Sequence, residues 1–350
     1  MENIWWKQVT NAVKYVADIK QSLLEEKSIL LKYSLGIPWR NQLVNSVIDA
    51  VKLQNGDKKF VVISDIDDPG KYLLKEFCKP EKRAEYRPSK GYAKFFAESD
   101  DIVLHDRYLW INVSSQNNLD KWLSFVSDYI KGRGKKDNKA VFILEWSGEH
   151  TPLVKKGIKV YSFDDYIGDY DRIVFAVLAS SSIKENSFIN TYLSELVANV
   201  AGNDIELAAE CIRHSKEFLE NPLEFIKITC GEQKRSNGDL FCYSKGVDEV
   251  AHLIWLAQIK TIYPHLEEYR EEFVQKYHSA IAKQLPIQAL YGETYDDPKD
   301  VELGTLMYMT VNGYISLGSQ EYEKLKKYKE ARNKLSHLTA LSIGAIRALQ

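Results

Sequence analysis

Apolar positions recur at three- and four-residue steps over residues 3–25 (Val9, Val13, Val16, Ile19, Leu23), which predicts one amphipathic helix. Then the period changes. "SILLKYSL" at 28–35 is a short apolar run, and "GIPWRNQLVNSVIDAVKL" after it reads as a loop and then a helix with Leu43, Val47 and Val51 on one face. "KFVVISDIDDPGKYLLKEF" repeats the scheme: Phe60 to Ile63 predicts a strand, and Asp68-Pro69 is an N-cap and first-position pair opening a helix. Further strands are predicted at 109–113, 140–146, 158–163 and 172–179, with a helix at 119–132 between the first two. Short strands apolar on both faces, alternating with amphipathic helices, are what a mainly parallel sheet covered by helices requires.

From residue 184 the pattern is helical throughout. "SFINTYLSELVANVAG" and "DIELAAECIRHSKEFLENP" predict two helices, with Gly202 just past the first and Asp204 capping the second. The polar, Gly-punctuated "TCGEQKRSNGDLFCYSKG" at 229–246 reads as a linker. Beyond it, helices are predicted at 247–262, 264–284, 300–313, 319–335 and 338–349. The predicted organisation is an N-terminal helix (1–24), an α/β domain with a mainly parallel sheet (25–183), a helical adaptor (184–228), the linker (229–246) and an all-α C-terminal bundle (247–350).

Composition narrows the function classes. The 350 residues are 45% apolar and 27% charged, as a folded globular chain requires, and a net charge of −2 supplies no overall basic field. Any contact with nucleic acid must therefore come from a local patch. Cys78, Cys211, Cys230 and Cys242 are widely spaced with no C-x-x-C pair, which argues against a structural zinc site or a disulfide framework. His105, His150 and His214 show no metal-ligand spacing, so no metal is expected. The start "MENIWWKQVTNAV" has no signal-peptide core, and the apolar run "IVFAVLA" at 173–179 is too short to span a bilayer; a cytoplasmic protein without a membrane partner is expected.

The front of the chain carries three clusters with chemical potential. "SDIDDPG" sets Asp65, Asp67 and Asp68 at a strand end, where carboxylates can hold Mg²⁺, though a helix cap with two solvated neighbours explains them more simply. "KGRGKKDNK" supplies Lys131, Arg133, Lys135, Lys136 and Lys139, either a phosphate grip or a solvated turn. The third is the loop "YSLGIPWRNQLV" after the first strand. Its setting resembles the P-loop NTPases of the AAA type, which place G-x-x-x-x-G-K-[ST] there. Here the second glycine and the lysine are missing, and Leu144 stands where the family has its metal-binding aspartate before Glu145, the counterpart of the Walker B acid. Those departures make it a degenerate NTPase-like domain, binding-only or purely structural, and no cofactor is expected.

Near the other end, "EARNKLSH" sets Arg332, Asn333 and His337 in an amphipathic helix whose buried seam is predicted as Leu325, Tyr328, Ala331 and Leu335, continuing into Leu338 and Leu341. Asn333 and His337 are four apart and share a face if the helix runs through 337, and Lys326 and Lys329 lie on the same polar side. Metal-free RNA cleavage needs a group that moves a proton to or from the 2′-hydroxyl and the leaving oxygen, and imidazole titrates in the right range. A guanidinium stabilises the charge of the phosphorane. "RNKLSH" resembles the R-x4-H motif of HEPN domains, including the polar residue after the arginine, and "DVELGTLMY" at 300–308 is similar to the helix before the motif helix in several HEPN groups. The resemblance covers 247–350 only. It implies a metal-independent endoribonuclease with Arg332, Asn333 and His337 in the active site and Lys326 and Lys329 on substrate RNA. It also implies a homodimer through the bundle, a partner or trigger at the front domain, and a place in anti-phage or toxin–antitoxin defence. The same resemblance leaves open a non-catalytic nucleic-acid- or nucleotide-binding, dimerising subunit of a defence complex.

Overall fold

The computed structural model of the chain describes every residue except positions 55, 57, 135, 137, 149–154, 289–291 and 293. It divides into two units, Met1–Phe175 and Ala176–Gln350. The first contains α1 (Glu2–Gln8), α2 (Thr10–Leu24), β1 (Ser28–Lys32), α3 (Arg40–Lys52), β2 (Lys59–Ile63), α4 (Pro69–Phe77), α5 (Pro80–Ala84) and α6 (Tyr92–Glu98). It continues with β3 (Arg107–Val113), α7 (Gln116–Arg133), β4 (Val141–Trp146), β5 (Ile158–Ser162), α8 (Phe163–Tyr166) and the start of α9 (Asp169–Ser180).

The sheet order is β2-β3-β4-β1-β5, and every neighbouring pair is parallel, which agrees with the predicted α/β class. β4 is buried along its whole length and β3 nearly so, while edge strand β2 turns Val62 to solvent. That is why the central strands read as continuous apolar runs. α7 is capped by Ser115, whose hydroxyl accepts from the Asn118 amide at 3.2 Å, and it drives Trp122, Phe125 and Tyr129 against Phe142 of β4. Asp68 caps α4 as predicted, accepting from the Lys71 amide at 3.0 Å with Pro69 at the first helical position.

Two expectations fail here. The helix predicted over 3–25 is broken at Val9, whose backbone is extended (φ −82°, ψ 118°). The break lets adjacent Trp5 and Trp6 both be buried, which one straight helical face cannot do since neighbours diverge by about 100°. The strand predicted over 172–179 is helix α9. Its start is fixed by Asp171, which reaches back to accept from the Gly168 amide at 3.0 Å, as the third residue of a capping box does.

In the second unit, α10 (Ser187–Ala201) is capped by Asn186 and followed by Gly202 at φ +58°. α11 (Ile205–Arg213) is capped by Asp204, and α12 (Ser215–Glu220) and α13 (Pro222–Glu232) follow. Residues 229–232 of the predicted linker thus belong to α13. The rest is tied down: Arg235 bonds to Asp204, the Ser236 amide donates to Glu206 at 2.8 Å, and Phe241 is buried. Next come α14 (Val247–Lys276), α15 (His278–Ala282), short antiparallel strands at Ile287–Gln288 and Thr294–Tyr295, α16 (Leu303–Val311), α17 (Ser319–Ser336) and α18 (Ile343–Arg347). The two helices predicted at 247–262 and 264–284 are largely one, with Pro264 inside it; Ile262, Leu266, Tyr269 and Phe273 are buried on both sides of the proline, and that packing offsets the backbone bond it removes. Among the described residues no helix is long and apolar enough to cross a membrane.

Candidate functional site

α17 buries Leu325, Tyr328, Ala331 and Leu335 and packs against α14 and α16. Its other face carries the predicted site. Lys326, Lys329, Asn333 and His337 fall at steps of three and four, which sets them along one stripe. The helix itself ends at Ser336, one residue earlier than an unbroken face to 337 requires. His337 is the C-cap (φ −102°, ψ 28°), and its amide still bonds the Asn333 carbonyl at 3.1 Å, so the four-residue relation survives. Leu338 then adopts the left-handed conformation at φ +57°. The Leu338 amide donates to Leu335 O at 3.2 Å and the Thr339 amide to Lys334 O at 2.9 Å, the bond pair of a Schellman turn with leucine where glycine is usual. This turn swings Leu338 out to 71% exposure, so the seam predicted to continue through Leu338 skips it and resumes at buried Leu341.

His337 is exposed, and Arg332 and Asn333 are half-buried. Among the described residues neither the imidazole nor the Asn333 amide group makes a side-chain hydrogen bond, and the ammonium groups of Lys326 and Lys329 form no ion pair. The Arg332 guanidinium is engaged: it meets Glu302 at 2.8 Å. Glu302 is the N-cap residue of α16 and the glutamate of "ELGTL". On α14, Trp255 donates its indole N–H to Leu335 O at 2.8 Å, and His252 stacks on that indole at 5.4 Å between centroids. Glu302, His252 and Trp255 were not among the predicted site residues. The glutamate had a signal in "ELGTL", whereas the α14 pair meets α17 only through a long-range contact.

Other polar side chains in this unit serve the fold. His265 lies 2.9 Å from the Tyr328 hydroxyl with its ring tilted 49° to the phenol, and Gln258, fully buried, bonds both backbone groups of Leu341 at 2.7 and 2.9 Å.

In the first unit, the connections from β1 and β4 leave in opposite directions across the sheet, so the crevice beyond their carboxyl ends is where an open α/β sheet holds a ligand. Here that crevice is packed. Tyr33, Ile37 and Trp39 of the loop after β1 are buried, and α3 opens with Arg40, which meets Glu145 of β4 at 2.6 Å. Glu145 is fully buried. Burial pushes its carboxyl above the usual carboxylate range, and Arg40 pulls it back only in part. Arg40, at the start of the helix after β1, is thus committed to a carboxyl group of its own chain.

The other front clusters are also engaged internally. Asp65 accepts from the Ser114 amide at 3.2 Å and from Asn118 at 3.1 Å, Asp67 accepts from Asn118 at 3.0 Å, and Asp68 caps α4. Among the described residues no group of three or more His, Cys, Asp or Glu side chains converges as metal ligands do. Arg133 and Lys136 both reach Asp100 at 2.8 Å, and Lys131 pairs with Asp128 at 3.2 Å. Lys135 and His150 lie outside the described residues. His105 is a core histidine held between the Tyr129 hydroxyl at 2.8 Å and Ser99 O at 2.7 Å. A cleft of about 960 Å³ lies between α4, α6 and α7, with Lys90, Lys94, Glu98, Asp120 and Lys121 on its rim. No protein-family model matches the chain, and no curated protein matches its sequence.

Proposed function

We propose that this chain is a metal-independent endoribonuclease of the HEPN type, with the end of α17 as its active site. The observation that carries the reading is the stripe Lys326, Lys329, Asn333, His337, ending in an imidazole that is exposed and, among the described residues, makes no side-chain hydrogen bond, with Arg332 beside it. A histidine held by its own chain would serve the fold, as His105 does. A free one at the end of a cationic stripe can meet a phosphodiester.

In the proposed reaction His337 removes the 2′-hydroxyl proton, the 2′-oxygen bonds to phosphorus, and the P–O5′ bond breaks. The products are a 2′,3′-cyclic phosphate and a 5′-hydroxyl, whose oxygen takes a proton from a second acid. Arg332 leaves Glu302 for the phosphorane, where two parallel N–H donors suit the equatorial oxygens. Asn333 orients the phosphate, and Lys326 and Lys329 hold the neighbouring backbone. The α17 end of one chain offers one imidazole, His337, and the step needs two proton transfers. A homodimer that apposes two α17 ends completes the set. The α/β unit then serves to meet a partner or trigger, in keeping with a bacterial anti-phage or toxin–antitoxin effector.

Cleavage of a mixed RNA pool in EDTA by the wild-type chain and by His337→Ala tests this. The expected result is cutting by the wild type and a loss of about a hundredfold or more in the variant. If neither protein cuts while both bind RNA equally, the chain is a binding and dimerising module and the catalytic reading falls.

A further inference from the structure

We infer that His252 and Trp255 form a stacking platform that seats a nucleobase of single-stranded RNA beside His337, an inference that rests on the ribonuclease reading for its substrate. Leu335 O is shared by the Trp255 indole N–H at 2.8 Å and the Leu338 amide at 3.2 Å. The indole is therefore fixed against the very turn that carries His337. One helical turn earlier on α14, the His252 ring lies over the indole at 5.4 Å with 30° between the planes. His252 is exposed, and among the described residues its ring makes no hydrogen bond or ion pair.

Packing accounts for Trp255, which is half-buried and hydrogen-bonded. It does not account for His252, which adds an open aromatic face to a ring already anchored. Exposed Leu338 gives the same turn an apolar side, exposed Lys334 gives it a cation, and Lys329 and Lys326 continue the positive charge further up α17. A flat apolar face bordered by cations suits a base whose phosphates are held alongside. The base must come from a single strand, because bases within a duplex are stacked on one another and offer no face. A base held here sets its own ribose-phosphate near the imidazole, so the platform selects which nucleotide presents its 2′-hydroxyl.

The test measures affinity by fluorescence anisotropy in a His337→Ala background, which prevents cutting, with a labelled single-stranded RNA and an abasic strand of equal length. His252→Ala is expected to weaken binding of the RNA about tenfold, the range of one lost base stack, while leaving the abasic strand unchanged. His252→Phe, which keeps a ring, is expected to restore the RNA affinity. Equal binding by His252→Ala and its parent overturns the platform, as does an equal loss on both strands or a parent that binds neither. Cleavage by chains with His337 intact separates the two ideas. Cutting that persists with no effect of His252→Ala on affinity removes the platform alone. A platform effect without any cutting leaves the stacking site and removes the nuclease.

Discussion

Arg40 and Arg332 each meet one glutamate, at 2.6 and 2.8 Å, and the two arginines are equally exposed, yet the pairs do opposite work because water reaches only one of the two glutamates. Glu145 is fully buried at the carboxyl end of β4, whereas the Glu302 side chain at the start of α16 is 47% exposed. A buried carboxylate that loses its cation has no solvent to replace it, so Arg40 is held in place and the crevice stays shut. A pair open to water is screened and contributes about 0–1 kcal/mol, so a phosphate can take the cation from it. The fold's customary ligand position is thus spent on packing, and a helix end that no fold rule marks out keeps its charges exchangeable. Exposure of the glutamate, more than architecture, separates the two regions.

Removing Arg40 is the largest break of that contrast. Arg40→Ala leaves the Glu145 carboxyl buried without its cation, and the expected cost is about 3 kcal/mol at neutral pH, measured by urea unfolding. The sign with pH follows from burial holding that carboxyl above its ordinary range. The folded chain then binds more protons than the unfolded one above the ordinary carboxylate pKa, so stability falls as pH rises. Without Arg40 the carboxyl is pushed higher still, and the deficit of the variant grows as pH rises above the ordinary carboxylate range. A deficit that is small, or that shrinks as pH rises, removes the buried-pair account.

How much of this was legible depended on range. β3, β4 and the body of α7 could be read locally, since full burial writes apolar runs and an amphipathic helix keeps its period, although the start predicted at 119 missed the Ser115 cap. "RIVFAVLA" could not: its apolar run suits a strand or a helix equally, and the deciding bond is the one from the Gly168 amide to Asp171, upstream of the run. Pro264 misled because a local breaker was outweighed by contacts made far along the chain. At the candidate site the spacing of Arg332, Asn333 and His337 was visible. Trp255 was not, because it meets Leu335 across 80 residues, and no periodicity reports such a contact.

Leu338 sharpens the comparison from the other side. A left-handed leucine costs about 1 kcal/mol relative to glycine at the same turn, and its exposed side chain recovers little by burial. Leu338→Gly is expected to stabilise the chain by about 0.5–1 kcal/mol, read as a raised urea midpoint with an unchanged slope. In the front unit, by contrast, the left-handed non-glycine residue of the loop after β1 is Trp39 (φ 44°), whose ring is buried, so exchange for glycine would forfeit that packing and no such gain is available there. Destabilisation by Leu338→Gly means that the leucine side chain packs in solution, and the turn is then an ordinary part of the core.

Glu302→Gln carries the smallest expected change and tests exchangeability most directly. The side chain keeps its shape and loses its charge, so the Arg332 guanidinium is freed without a cavity. Because the pair is solvent-screened, stability is expected to stay within about 0.5 kcal/mol of the parent, in contrast with Arg40→Ala. Affinity for single-stranded RNA in the His337→Ala background is expected to rise two- to threefold, roughly the free energy of an exposed ion pair no longer competing with phosphate. The gain is expected to fade at high salt, where both the pair and the phosphate contact are screened. A loss of stability comparable to that of Arg40→Ala makes Glu302 a fixed brace and the two regions alike. Unchanged affinity at low salt means that Arg332 never reaches phosphate, and the charge stabilisation assigned to it must come from another cation of the α17 stripe.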